Sequence, residues 1–160
     1  MQKVTTLTHQ AHLAPHFKRL NEEWLVKYFE IEPIDQQVLS NPQDIIDHGG
    51  QIIYALLGDE VVGCVALKHH GEGVIELTKM AVTAVHQAHG IGAKLMAQSL
   101  QEFAKLGGKQ LYLETHSSLQ PAIKLYGRWG FVSKPYPFAS EYARSDYYME
   151  WAGHIEAFNA

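Results

Sequence analysis

Apolar residues recur along this chain with two periods, and the points where the period changes divide it into elements. Residues 3–7, Lys-Val-Thr-Thr-Leu, read as a short strand. Leu13, Phe17, Leu20, Trp24 and Tyr28 then recur at spacings of four, three, four and four. That stripe predicts an amphipathic helix. A polar stretch from Glu32 to His48 follows, in which Pro33 and Pro42 each suit the first turn of a short helix. Residues 51–57 and 60–68 are β-rich runs joined by Gly58-Asp59, a glycine-first loop that suits a hairpin. His70-Gly71-Glu72-Gly73 makes the next turn, and Val74 to Val82 completes an antiparallel meander.

After Thr83 the period returns to that of a helix. Ile91, Leu95, Leu100 and Phe103 mark one from about Gly90 to a stop at Gly107-Gly108. Lys109 to Thr115 reads as a strand, Pro121 to Trp129 as a helix ended by Gly130, and 131–134 and 146–151 as the last strands. The order is β-α-α-β-β-β-α-β-α-β-β, a mixed α/β fold with a central sheet of about seven strands. No repeat or composition break interrupts it, so residues 1–160 are expected to form one domain.

Composition narrows the function classes. Hydrophobic residues make up 46% of the chain and charged residues 19%, enough for a core and a soluble surface. Thirteen Lys and Arg against seventeen Asp and Glu leave a net charge of −4, with only Arg19, Arg128 and Arg144 as arginines. Clustered basic residues for nucleic acid are missing, so no nucleic-acid partner is expected. No apolar run reaches the ~20 residues of a membrane span. The N-terminal Met1-Gln2-Lys3-Val4-Thr5 has no signal-like apolar stretch, and the expected compartment is the cytoplasm. Cys64, the only cysteine, sits in an apolar run and reads as a small buried hydrophobe. His69, His70 and Glu72 sit at a hairpin tip and read as a solvated turn rather than a metal site; no metal is expected.

The chemistry concentrates in Gln87-Ala88-His89-Gly90-Ile91-Gly92, between a strand and a helix. Two glycines let the backbone approach a ligand closely, and the helix that follows points free N–H groups at the loop. That geometry binds phosphate or pyrophosphate. A P-loop would need Gly-Lys-Ser/Thr, but Gly92 is followed by Ala93-Lys94-Leu95. A dinucleotide fingerprint would need glycine at Leu95, and Glu114 falls where its ribose acid would lie, but the preceding strands form a meander. A plain turn and helix cap is the alternative.

The loop resembles the pyrophosphate signature Gln/Arg-x-x-Gly-x-Gly/Ala of the GNAT acetyltransferase superfamily at every specified position. A second block agrees. Leu111-Tyr112-Leu113-Glu114-Thr115 is followed by Ala122-Ile123-Lys124-Leu125-Tyr126-Gly127-Arg128-Trp129-Gly130-Phe131, similar to the family's strand and helix ending Tyr-x-x-x-Gly-Phe. The resemblance covers roughly Gln51 to Lys134. It implies helices on both sheet faces and an enzyme, an acetyl-CoA-dependent N-acyltransferase. It implies acetyl-CoA as co-substrate and direct transfer to a primary amine of a small molecule or amino acid. A protein or peptide acetyltransferase and a non-catalytic acyl-CoA-binding regulator are the alternatives. The oligomeric state is left open, with a homodimer among the arrangements it allows.

Site residues follow from the same resemblance. The loop and helix start, Gln87, Ala88, His89, Gly90, Ile91, Gly92 and Ala93, would hold the pyrophosphate. Met80, Ala81 and Val82 would meet the pantetheine arm through their backbone, with the Val82 N–H as oxyanion donor. His116 stands where many relatives have Asn, and Ala122 is expected beside the coenzyme. Tyr126 matches the tyrosine that protonates the leaving thiolate; its plainer reading is a packed core tyrosine. Glu76 resembles a strand-borne base, or is an ordinary carboxylate on the polar face. Trp24, Tyr28, Glu76, Tyr142 and Arg144 are candidate acceptor contacts. An aromatic wall of Tyr136, Phe138 and Tyr142 with Arg144 suits an acceptor carboxylate, and a packed loop would look the same. His86 and His89 flank the phosphate loop.

Overall fold

The computed structural model describes residues 3–86 and 90–153. Gln87, Ala88 and His89 lie outside the described residues. The strands are β1 (Val4–Thr8), β2 (Gln51–Leu57), β3 (Glu60–His69), β4 (Val74–Val82), β5 (Gln110–Thr115), β6 (Phe131–Ser133) and β7 (Tyr147–Trp151). The helices are α1 (Ala14–Tyr28), α2 (Pro33–Leu39), α3 (Pro42–Asp47), α4 (Ile91–Lys105) and α5 (Gln120–Arg128). The strands form one sheet in the order β1-β2-β3-β4-β5-β7-β6, in which only β4–β5 is parallel. One helix more than expected precedes β2. Pro33 and Pro42 each start their own helix, because proline suits the first turn and ends whatever precedes it. A capping box between Glu32 and Asp35 closes the start of α2.

The meander forms as its pattern predicts, with Gly58 in the left-handed region at φ 62° in the β2–β3 turn. Side chains alternate across the sheet, so β2 and β3 feed two cores. Ile53, Val65 and Leu67 pack with Leu95, Met96 and Phe103 of α4 on one face. Ile52, Tyr54, Cys64 and Ala66 pack with Phe17, Leu20 and Leu25 of α1 on the other. Cys64 is fully buried, which pushes its thiol up to about 12.

Two irregularities in β4 shape what lies above it. Cys64 pairs with Ala81 and Ala66 with Thr78, so Lys79 and Met80 stand opposite the single residue Val65. This is a β-bulge, and Lys79 adopts φ 57°, unusual for a residue with a Cβ. Second, β4 pairs with β5 only from Val74↔Gln110 to Glu76↔Tyr112. Beyond Glu76 the two strands part.

The Lys79 ammonium turns inward and donates to Asp35 Oδ1 at 2.7 Å. Arg144 grips the same carboxylate with two bonds of 2.8 Å and reaches Glu32 Oε2 at 3.0 Å. Lys79 Nζ and Arg144 Cζ also lie 4.5 and 4.8 Å from the Tyr142 ring centre. The cluster ties α2 to the bulge and to the link between β6 and β7. Burial alone would raise the Asp35 carboxyl, but the Arg144 and Lys79 bonds overcome it and hold its pKa at about 2. Burial pulls the Lys79 ammonium down, and Asp35 opposes that pull.

Because the Asp35 pKa is depressed on folding, its contribution is full above the ordinary 3.8 and lost as pH falls through about 2. Asp35→Asn leaves Lys79 and Arg144 without their shared counter-charge and should cost about 3–5 kcal/mol at neutral pH. Urea melts of both proteins from pH 7 to pH 2 check this: the gap should close between the ordinary carboxylate range and about 2.

Candidate active site

The parting of β4 and β5 opens a cavity of about 90 Å³. Glu76, Thr78 and Met80 line it from β4, and Leu113, Glu114 and Thr115 from β5. Ala122 and Tyr126 of α5 close one side, and Trp24, Phe29, Tyr142 and Arg144 the other. Of the residues expected from the sequence, the structure brings Trp24, Glu76, Met80, His116, Ala122, Tyr126, Tyr142 and Arg144 to this one cavity.

Glu76 is the last residue of β4 paired with β5, flanked by Lys68 on β3 and Tyr112 on β5. Ile75 and Leu77 point into the α4-side core, which leaves Glu76 on the opposite face, only 6% exposed. Its Oε1 lies 2.9 Å from His70 Nε2. This corrects the expectation that the β3–β4 turn is merely solvated: His70 bonds Glu76, and His69 Nε2 accepts from the Gly73 N–H at 3.2 Å. Among the described residues no group of three metal-ligating side chains gathers here or elsewhere.

Tyr126 packs edge-on against Phe131, ring centres 6.0 Å apart. Burial pushes its phenol up to about 12, so it carries its proton at neutral pH. The packed and the cavity-facing readings are both met by this placement. His116 is held by Ser118 Oγ at 2.7 Å from Nδ1, and its ring meets Phe29 edge-on at 5.5 Å.

At α4, Gly90 adopts φ 76°, and a Cβ there would meet nothing within 4 Å. The first helical bond runs from Lys94 N–H to the Gly90 carbonyl, so the amides of Ile91, Gly92 and Ala93 precede the ladder. An open backbone cradle at a helix start is what a pyrophosphate requires, and these residues fit one. Gly92 has a different reason for lacking a side chain. Its Cβ would stand 3.3 Å from Leu125 Cδ2, so α4 and α5 pack closely one residue from Tyr126. Gly90 to Ala93 are not in the cavity lining, nor are Ala81, which is buried, and Val82, which pairs with Gly63.

Three acceptor expectations change in detail. Tyr28 is 41% exposed and packs on Trp24 instead of lining the cavity. Tyr136 and Phe138 pack around Tyr148, at 5.5 and 5.7 Å, as a packed loop would. Arg144 lines the cavity, but its fork is engaged by Asp35 and Glu32 rather than waiting for an acceptor carboxylate. His86 Nε2 lies 3.3 Å from Glu60 Oε2. The sequence alone singles out neither Lys79 nor Asp35, and it assigns Glu114 no part in the site. A bulge at Lys79 is not visible in the sequence of the strand, Val74 to Val82. Glu114 lies two positions from Tyr112, with its pKa raised chiefly by burial.

Residues 17–131 match the sequence profile described as the acetyltransferase (GNAT) family. The chain is 38% identical over 76 residues to YsnE of Bacillus subtilis (strain 168), named an uncharacterized N-acetyltransferase; the match spans 46% of this chain and 50% of that one. The chain thus spans about half the length of that relative. It is 28% identical over 127 residues to another uncharacterized N-acetyltransferase, from Schizosaccharomyces pombe, covering 75% and 77% of the two chains. Its fold matches an acetyltransferase of the GNAT family from Staphylococcus aureus Mu50 at TM-score 0.81 and 18% identity, over 93% and 98% of the chains. It also matches yncA of Salmonella typhimurium, solved with its cofactor acetyl-CoA, at TM-score 0.73 and 16% identity over 92% of each chain. With its glycine cradle, its parted strands and a family profile matching most of its length, the chain belongs to the acetyltransferase (GNAT) family.

Proposed function

We propose that this chain transfers an acetyl group from acetyl-CoA to a primary amine of a small molecule. The observation that carries the reading is one cavity in which a buried carboxylate, Glu76, and a protonated phenol, Tyr126, both take part. Family membership and the relative solved with acetyl-CoA support the donor. Acetyl-CoA supplies a thioester carbonyl already activated for attack.

The residues would act as follows. The amides of Ile91, Gly92 and Ala93 would hold the pyrophosphate, and the stretch of β4 that parts from β5 beyond Glu76 would face the pantetheine arm. Glu76 takes a proton from the acceptor ammonium, whose pKa of ~10.4 otherwise keeps it unreactive near neutrality. Tyr126 gives its proton to the departing thiolate and regains one from the nitrogen of the tetrahedral intermediate, which must lose a second proton to become the amide. Trp24, Phe29 and Tyr142 offer aromatic surface to the acceptor.

A small acceptor is favoured by contacts across the cavity's mouth. Phe29 meets His116, the Ala143 N–H donates to Glu32 at 2.9 Å, and Arg144 clamps Asp35. These tie the end of α1 and the start of α2 to the β5–α5 loop and the β6–β7 link, where a peptide would need a through-running groove.

Turnover of acetyl-CoA with a panel of small primary amines, beside lysine-bearing peptides, tests the assignment. Small amines should be acetylated at the higher kcat/KM; turnover of peptides alone would reverse the acceptor class, and none with any amine would remove the enzyme reading. Tyr126→Phe should lower kcat by roughly ten- to a thousandfold with little change in coenzyme A affinity by calorimetry. Full kcat would assign the ring to packing. Glu76→Gln should lower kcat/KM at neutral pH by roughly a hundredfold and recover toward pH ~10, where the amine deprotonates unaided. Parallel pH profiles for the variant and wild type would exclude Glu76 as base.

A further inference from the structure

A base buried at the bottom of a cavity must lose the proton it gains before it can act again. Glu76 is 8% exposed at its side chain, while His70, 2.9 Å away, is 36% exposed. The carboxylate lines the cavity and the imidazole does not. Glu76 therefore stands between the reaction space and a ring that reaches solvent.

The position of His70 is fixed from several sides. Its N–H donates to the Val74 carbonyl at 2.8 Å, which holds the start of β4 against the turn. Its ring leans on Tyr112 of β5, centres 5.8 Å apart. Gly71 and Gly73 take φ of 99° and 79°, and Glu72 takes 54°, so the turn folds tightly enough to bring residue 70 over residue 76. The charged or titratable groups facing Glu76 are His70, Lys68 across β3, Lys79 of the bulge, Tyr112 and Glu114 of β5, and Tyr142 of the β6–β7 link. Lys79 is already bonded to Asp35, and among the described residues neither Lys68, Glu114 nor the two phenols is hydrogen-bonded to Glu76. Among these partners, His70 is the one bonded to Glu76, and an imidazole has two nitrogens, one to accept a proton and one to release it.

We propose that His70 is the proton exit of the active site, relaying the proton that Glu76 takes from the acceptor amine to bulk water. The inference rests on Glu76 being the base. The ammonium N–H bond breaks and an O–H bond forms on Glu76. The Glu76 O–H then donates to Nε2 of the neutral ring, giving imidazolium and restoring the carboxylate. The imidazolium releases its Nδ1 proton to water, and exchange of the neutral ring's proton with solvent resets the pair. Of the two protons that the ammonium loses in the whole transfer, this one appears in solvent and the other ends on the coenzyme thiol. His70 touches neither substrate, so it acts through Glu76 as a positioning and relay residue.

The test is kcat with a good amine acceptor, measured at increasing imidazole concentration and constant ionic strength. Wild type should be insensitive to buffer. His70→Ala should fall about tenfold and climb back along a saturating curve as imidazole replaces the missing ring. His70→Gln keeps a hydrogen bond to Glu76 but cannot relay a proton, so it should also be slow and its thermal melting unchanged. Full activity in His70→Gln would overturn the relay and leave only an orienting bond. A slow His70→Ala that imidazole does not accelerate would overturn it too. Glu76→Gln separates this from the base assignment. If that variant is impaired while His70→Ala is unaffected, only the relay fails; if it matches wild type, both fail. In the doubly substituted protein, loss of His70 should add nothing to loss of Glu76.

Discussion

The site depends on a sheet that cannot stay closed. The only parallel pair in it, β4–β5, holds through Glu76 and Tyr112 and then parts. Immediately beyond, β4 sets two residues, Lys79 and Met80, against one on β3. A bulge increases local twist and bends the strand that carries it. Here it would be costly to maintain, since Lys79 adopts a left-handed backbone that side chains with a Cβ disfavour. Such a conformation persists when its surroundings over-determine it. Asp35 accepts from the Lys79 ammonium, and Tyr142 covers it. The opening is thus held from above by α2 and the β6–β7 link, as well as from within the strand.

Charge in this region is divided in two. In one part of the lining, Lys79 and Arg144 are paired with Asp35 and Glu32, and the four charges balance. In another, Glu76 and Glu114 face inward, the latter with its proton affinity raised chiefly by burial. Buried ion pairs offset their desolvation only when the geometry is good. The two-pronged Arg144 grip on Asp35 has that geometry and leaves Glu76 and Glu114 as the carboxylates in the cavity lining. It also explains why a lone arginine beside an aromatic wall misleads as a sign of carboxylate binding.

The fold itself hosts many acceptors, so family membership places the donor chemistry better than the acceptor. Several contacts lie at the edges of that frame. His70 backs Glu76 from the turn, His116 is pinned between Ser118 and Phe29, and Glu32 ties the acceptor-side helices to the distal link.

Local physical chemistry makes much of this legible in the chain's own residues. Strand alternation and Gly58 dictate the meander, the Leu13 to Tyr28 stripe dictates α1, and glycines at 107 and 130 end helices. The loop and helix blocks around Gly92 and Tyr126 point to the family, and Glu76 and Tyr126 do line one cavity. All of these depend on residues within a few positions of one another. The rest depends on pairing. Whether a strand bulges is decided by its partner's register, so the bulge at Lys79 has no cause readable from its neighbours in sequence. Asp35 lies 44 residues from Lys79 and 109 from Arg144, and only tertiary packing brings the three together. His70 and Glu76 are six residues apart, yet their contact needs a turn of three successive left-handed residues to fold one over the other. Sequence determined which residues could do chemistry, because side-chain type and period are local properties. Tertiary structure decided which charges are already neutralised and which are left facing the cavity, because that depends on neighbours far along the chain.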